Sequence, residues 1–258
     1  MNRIITNYLV IATLAASAVL TSCKKEIDDG KVQLLETMTI NDGSCVKYTY
    51  DNQNRVSEFF MYENEKLSSV TAITYSGHDL ITVIHENFDN SEENFAGKFV
   101  KNGNTITFYS NEELTYTMYL DNNEYPVRIE GISNEGEGFL YNYVMTFQYQ
   151  DGNMTKMNTT ITFNGEITSE SSTEYKYDNK KSPFYYCRSP IWMVSNTIGP
   201  YSIQNNVIEQ KISSLFNVKT EIIYEYDSAG FPTRGVMTSE VEGFGGDENT
   251  NIVEYKYK

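Results

Sequence analysis

The chain has 258 residues, a formal net charge of −15 and 14 % aromatic residues, with 21 tyrosines and a single tryptophan. An acidic balance of this size excludes nucleic acid as a partner, because such binding needs a basic face to displace counterions, and it excludes electrostatic adhesion to anionic lipid. The length suffices for one large or two small cores, and the tyrosine excess suits half-buried strands, where the ring packs and the hydroxyl stays wet.

The N-terminal segment comes first. Arg3 gives a short, weakly basic start, Leu9 to Leu20 is an apolar run, and Leu20-Thr21-Ser22-Cys23 closes it. About 12–16 apolar residues fall short of the ~20 that a spanning helix needs. A plain secretory peptide has the same parts but no need of a cysteine at the cut. The segment resembles a bacterial lipoprotein signal, which implies that residues 1–22 are removed and that Cys23 is lipidated as the first mature residue. Two or more acyl chains, at about 0.8 kcal/mol per buried methylene, hold a protein on a membrane stably. Residues 23–35 then read as an acidic tether, with Glu26, Asp28 and Asp29 following Lys24 and Lys25. Acidic residues soon after the cysteine resemble the export pattern of gut-type Bacteroidota lipoproteins. The implied place is the outer membrane, lipid-anchored and displayed on its outer face rather than in the periplasm.

From residue 36 to 258 the chain reads as a single domain built on a repeat. Tyr48-Thr49-Tyr50-Asp51, Tyr175-Lys176-Tyr177-Asp178 and Tyr224-Glu225-Tyr226-Asp227 are one motif, and Tyr255-Lys256-Tyr257 is its first half. Looser copies are centred on Tyr75, Leu120 and Tyr149. Residues two apart share a face of a strand, so each copy sends two large side chains to one side and stops at a turn former. Turn-forming residues follow, and Pro126, Pro183 and Pro232 each stand five positions after their aspartates, where a fixed φ suits the start of a return strand. The wide gap between Tyr75 and Leu120 has room for one more hairpin, which Phe99 to Ile106 supplies around Asn102-Gly103. The gap between Tyr177 and Tyr226 holds one unit plus an irregular insertion, about 184–206, and a short helical turn is expected around Val207 to Phe216.

Consecutive hairpins of this length predict an all-β fold, an antiparallel meander forming one strongly twisted, curved open sheet or half-barrel. A closed barrel is the structural alternative, since closure removes exposed edges. The repeat resembles the tyrosine–aspartate repeats of Rhs-type shells and wall-associated proteins, and more closely uncharacterised Bacteroidota lipoproteins built from such units. That resemblance implies fold and envelope location; it carries no activity and no catalytic residue.

Chemistry is sparse. No Gly-x-Ser-x-Gly elbow is present, and His78 and His85 have no recognisable nucleophile beside them. Cys45, Cys187, His78 and His85 would suit zinc by composition but not by spacing. Asp121-Asn122-Asn123-Glu124 and Gly245-Gly246-Asp247-Glu248-Asn249 are oxygen-rich loops that fit no EF-hand. No cofactor is implied. Cys45 and Cys187 are either a disulfide of an oxidising compartment or two separate buried hydrophobes. The insertion gathers Phe184, Tyr185, Tyr186, Arg188 and Trp192, which suits either a ligand platform that stacks on sugar rings or anchors a protein, or a lid over the sheet. Asp227-Ser228-Ala229 resembles the O-glycosylation acceptor of Bacteroidota, with Ser228 as the modified residue. The expected role is a non-enzymatic binding or scaffolding module whose partner is a glycan, peptide or envelope protein. The competing class is a hydrolase acting on glycans through paired carboxylates, for which Glu92, Glu93, Glu112 and Glu113 are the exposed supply.

Overall fold

The computed structural model describes residues 32–77, 80–134, 140–194, 204–242 and 249–258. Cys23 and most of the tether, His78, and the Gly245–Glu248 stretch lie outside them. Sixteen strands are seen among the described residues. The first eight are β1 (Leu35–Ile40), β2 (Ser44–Tyr50), β3 (Val56–Glu63), β4 (Lys66–Ser76), β5 (Leu80–Asn87), β6 (Phe95–Asn102), β7 (Thr105–Ser110) and β8 (Glu113–Leu120). The second eight are β9 (Pro126–Asn134), β10 (Leu140–Gln150), β11 (Asn153–Phe163), β12 (Glu166–Tyr177), β13 (Val207–Ser213), β14 (Val218–Tyr226), β15 (Pro232–Val241) and β16 (Asn249–Tyr257).

Each strand pairs antiparallel with its neighbours in sequence, and β1 pairs with β16, so the sheet is a closed barrel. The all-β meander of hairpins is as expected; the open trough is not. The correction has a visible cause. Every tyrosine–aspartate copy sits at the end of an even-numbered strand, and beside most copies the ladder slips by one residue. The slip falls at Thr49/Tyr50, Tyr119/Leu120, Gln148/Tyr149, Lys176/Tyr177 and Glu225/Tyr226. The extra residue on the return strand is Ser57, Val127, Thr155, Ile208 or Thr233. Ser68, Thr115 and Thr168 are bulged in the same way toward the opposite end; a bulge bends its strand and increases local twist, and bulges repeated around a meander curl it until its edges meet. The hydroxyls of Thr155 and Thr233 fasten two of these bulges to the carbonyls of Gln148 and Glu225. The helical turn expected from Val207 is instead β13.

The aspartates form one recurring turn. Asp51 Oδ1 accepts hydrogen bonds from the backbone N–H of Gln53 and Arg55, Asp121 from Asn123 and Tyr125, and Asp227 from Ala229 and Phe231. The backbone closes each loop identically, with Asp51, Asp121 and Asp227 donating to the carbonyls of Arg55, Tyr125 and Phe231. The fourth residue must then turn left-handed: Asn54, Glu124 and Gly230 have φ of 62°, 67° and 83°. Burial would raise the Asp51 carboxyl, but hydrogen bonds from the Arg55 backbone and guanidinium outweigh it and hold it below its usual value.

The two faces of the wall differ in kind. Opposed residues share a face, so Tyr48, Phe59, Phe99, Phe108, Met118 and Ile129 line the interior, with the hydrophobic core among them. The outer face is charged across neighbouring strands: Lys156 pairs with Glu174 at 2.9 Å, Lys176 with Glu209 at 2.9 Å, and Arg234 with Glu225 at 2.8 Å. A membrane-crossing barrel needs an outward apolar band about 25 Å tall and has a polar interior. Here the ion pairs lie outside, with Ile84, Ile132 and Ile223 exposed singly among them, and the hydrophobic core lies inside.

Inward-facing glycines make room for the interior rings. A Cβ on Gly131 would stand 2.4 Å from the Tyr143 ring, and one on Gly235 would stand 3.0 Å from Tyr224. Both glycines pair directly with those tyrosines across the ladder.

Candidate functional site

The tyrosine–aspartate turns all lie at one end of the barrel, and that end is closed. Asp178 carries the turn of the β12–β13 connection, but the fifth position of its turn is Asn206, not residue 182. Asp178 donates its N–H to the Asn206 carbonyl, and Asp178 Oδ1 accepts from the backbone N–H of Lys180 and of Asn206. The residues between Lys180 and Asn205 are therefore an insertion inside a turn of the ordinary kind, and its described part, as far as Val194, folds back into the barrel as a plug. Phe184, Trp192, Met193 and Val194 are fully buried against the interior wall. The Trp192 ring lies 5.4 Å from Phe99, and Phe184 meets Tyr48 edge-on at 5.3 Å. Ser189 fastens the plug to the wall, accepting from the N–H of Val56 at 2.9 Å and sharing a hydrogen bond with the Tyr75 hydroxyl at 2.9 Å. Lys181 Nζ lies over the rings of Tyr185, Tyr186 and Phe231 at 5.2–5.7 Å.

The sequence-predicted candidates divide accordingly. Trp192 and Tyr186 are 1 % and 7 % exposed, Tyr185 is half-buried, and only Arg188 is exposed. Burial gives the two inner rings the lid's part rather than that of a platform open to solvent. The disulfide does not form: Cys45 and Cys187 are both free. Cys45 lies on the outer face of β2, where its Sγ accepts from the Thr39 hydroxyl, while Cys187 is buried in the plug, and burial raises its thiol pKa. Ser228 is exposed at the tip of its turn. Asp121 Oδ1 is engaged by its own turn, and Glu124 pairs with Lys101.

The opposite end carries the β1–β2, β3–β4, β5–β6, β7–β8, β11–β12 and β13–β14 turns, and below it the inner wall has two characters. From β3 to β10 it is aromatic: Phe95, Phe108 and Tyr116 form a run, with Phe108 stacked on Tyr116 at 5.0 Å, followed by Tyr143. His85 stacks on Phe95 at 5.3 Å, and its Nδ1 shares a 2.9 Å hydrogen bond with Thr71. Burial lowers the His85 pKa, against a smaller raising effect of Glu93. From β11 to β16 the same wall alternates hydroxyls and an amide with aliphatic side chains: Thr159, Ser171, Thr173, Thr220, Ser239 and Asn251 share the inner face with Ile161, Ile212, Val218, Ile222 and Met237. Solvent enters here, since Ser169 is exposed although its ladder partner Ile161 faces inward, and Thr159, Ser171, Ser239 and Asn251 are part-exposed. A sixteen-stranded circumference is wider than its own side chains can fill. The plug fills one end and leaves a cup at the other, aromatic on one side and mixed hydroxyl and aliphatic on the opposite one. Sequence reasoning missed this cup, because its polar lining is a set of single Ser and Thr residues that come together only through the register.

The geometry defines a closed antiparallel barrel sealed at one end. Solved structures share that fold. A porin-like protein from Bacteroides uniformis is 12 % identical, with a TM-score of 0.52 over 87 % of this chain and 96 % of its own. A porin-like protein from Bacteroides vulgatus is 13 % identical, with a TM-score of 0.51 over 88 % of this chain and 99 % of its own. Similarity at this level concerns the fold alone. No family model matches the chain, and no curated protein matches it.

Proposed function

We propose that the protein is a lipid-anchored binding cup of the bacterial outer membrane, non-enzymatic and displayed on the cell surface, that holds a glycan, peptide or protein segment in its open end. The observation that carries the reading is the pairing of a charged outer wall with a sealed end. A barrel of this kind stands in water and does not conduct. The likeness to porin-like barrels supports an envelope setting.

The chain path supports the orientation. Leu34 and Lys258 exchange backbone hydrogen bonds at the sealed end, so the segment before Val32 departs from there. Eight residues separate Cys23 from Val32, and the nine steps between them span at most about 30 Å. Acylated at Cys23, the molecule would sit with its plug toward the bilayer and its mouth away from it.

Two measurements test this. Replacing Cys23 with Ser is expected to release the protein from membranes, and an unchanged membrane fraction would overturn the anchor. A Ser169→Cys variant, read against the background of Cys45 in the parent, is expected to react with a membrane-impermeant maleimide on intact cells. Labelling that appears only after the outer membrane is opened would place the mouth in the periplasm. No labelling of the purified protein would refute the cup.

A further inference from the structure

We infer that the mouth of the barrel is a docking surface for a cationic, amphipathic protein segment; the inference rests on the cup reading and names its occupant. Two independent features of the mouth lead there.

The first is apolar. Large hydrophobic side chains are exposed at the tips of the hairpins around this end. Leu215 is 94 % exposed and Phe216 55 %, both in the β13–β14 turn, and Phe88, Leu114 and Ile167 are exposed to between 54 % and 61 % at the neighbouring tips. Ile84, Ile132 and Ile223 on the outer wall are exposed as single residues, which is ordinary, whereas five at four hairpin tips of one rim mark an interaction site. The second is charge. The described mouth turns carry Asp42, Glu65, Asp89, Glu92, Glu112 and Glu242, and the lysine beside them, Lys66 at the start of β4, pairs with Asp89 and leaves the other five carboxylates in excess. Turns at the sealed end hold Arg55, Lys180, Lys181, Arg188 and Lys258 beside their structural aspartates. The negative field is therefore concentrated at the open end, where like-charge juxtaposition is costly and opposite charge steers encounter.

Together these features select one occupant. A bilayer rich in anionic lipid satisfies the apolar tips but is repelled by the carboxylates. A second copy of this chain, mouth to mouth, opposes two acidic rims. A glycan offers neither cation nor extended apolar face. A segment with lysine or arginine along one side and leucine-like residues along the other satisfies both at once. Its apolar side would meet Leu215, Phe216 and the aromatic side of the cup, and its cations would meet the surrounding carboxylates.

The test uses the full mature chain released by Cys23→Ser. Its fluorescence-anisotropy titrations use three labelled probes: an amphipathic lysine–leucine peptide, a glutamate–leucine peptide of the same pattern, and oligolysine of equal charge. The lysine–leucine peptide is expected to bind at least about tenfold more tightly than either control, a difference of roughly 1.4 kcal/mol, and to weaken as salt rises. Because both tips are exposed, L215S/F216S is expected to leave the urea midpoint unchanged while weakening the peptide about tenfold. Oligolysine binding as tightly, or a peptide indifferent to L215S/F216S, would reduce the site to unspecific charge attraction and overturn the inference. So would tighter binding to phosphatidylcholine–phosphatidylglycerol vesicles, or a dimer in sedimentation that the tip substitutions abolish. Ser169→Cys labelling in the same preparation separates the two claims: a labelled cup that ignores the peptide defeats this inference alone, and an unlabelled one defeats the cup beneath it.

Discussion

At the scale of single residues, the repeated motif is a fastening device. The second tyrosine of each copy reaches across the interior to the start of the neighbouring odd strand. Tyr50 donates to the carbonyl of Leu35 at 2.9 Å, Tyr75 to Val56 at 2.8 Å, Tyr177 to Met154 at 2.7 Å, and Tyr257 to Pro232 at 2.8 Å. The Tyr226 hydroxyl donates to Asp178 instead, where the plug interrupts the pattern. Each hydroxyl satisfies a carbonyl that the adjacent bulge frees from the ladder. Losing one leaves a buried acceptor unpaired, which costs about 1–3 kcal/mol. Tyr177→Phe is therefore expected to lower unfolding stability in urea by that amount, since Met154 is 1 % exposed. Tyr119→Phe, whose hydroxyl meets Glu130 on the outside, should stay within about 0.5 kcal/mol. Equal effects would mean that the interior hydroxyls pack without bonding.

At the scale of elements, the plug is the part whose loss is most costly. Trp192 is the chain's one tryptophan and is 1 % exposed, so Trp192→Ala should destabilise by about 3–5 kcal/mol. In the parent, tryptophan emission should shift to the red in a single step on unfolding. A variant with an undisturbed thermal transition but weaker ligand binding would restore the platform reading of Trp192. The plug was half legible in the sequence: its aromatic content and its position after Asp178 were plain, but its seat was not, because Asn206 closes the turn from 28 residues away. The turns were legible through Asp51, Asp121 and Asp227, whose side chains act locally. The bulges were not, since Ser57, Thr155 and Thr233 carry a hydroxyl that many ordinary strand residues of this chain also carry, and Val127 and Ile208 carry none. Without them the meander reads as open. The bulge at Ile208 also explains the helix expected after Val207: one extra residue puts Ile208 and Ile212 at helical spacing inside a strand.

At the scale of the whole molecule, the interior is a store of neutral tyrosine. Burial raises the Tyr255 pKa to about 12 and raises Tyr50, Tyr75 and Tyr257 further. In the unfolded chain tyrosine ionises near pH ~10. A folded pKa above the unfolded one means that this stability is complete below pH ~10 and is lost as pH rises through the folded value. Tyrosinate absorbance should therefore appear together with unfolding, in one cooperative alkaline step. Gradual ionisation of a folded barrel would show that solvent reaches these rings. The seam between β1 and β16 has a different consequence, for assembly. Asn41 bonds Ile252 across 211 residues of sequence, so the contact that removes both edges is also the one of greatest loop-closure cost. Until β16 arrives, fifteen strands form a ribbon with two bare margins, each able to template another chain. The protein is thus most exposed to aggregation just before it is finished, and any factor that guards it while it folds has to guard those two margins.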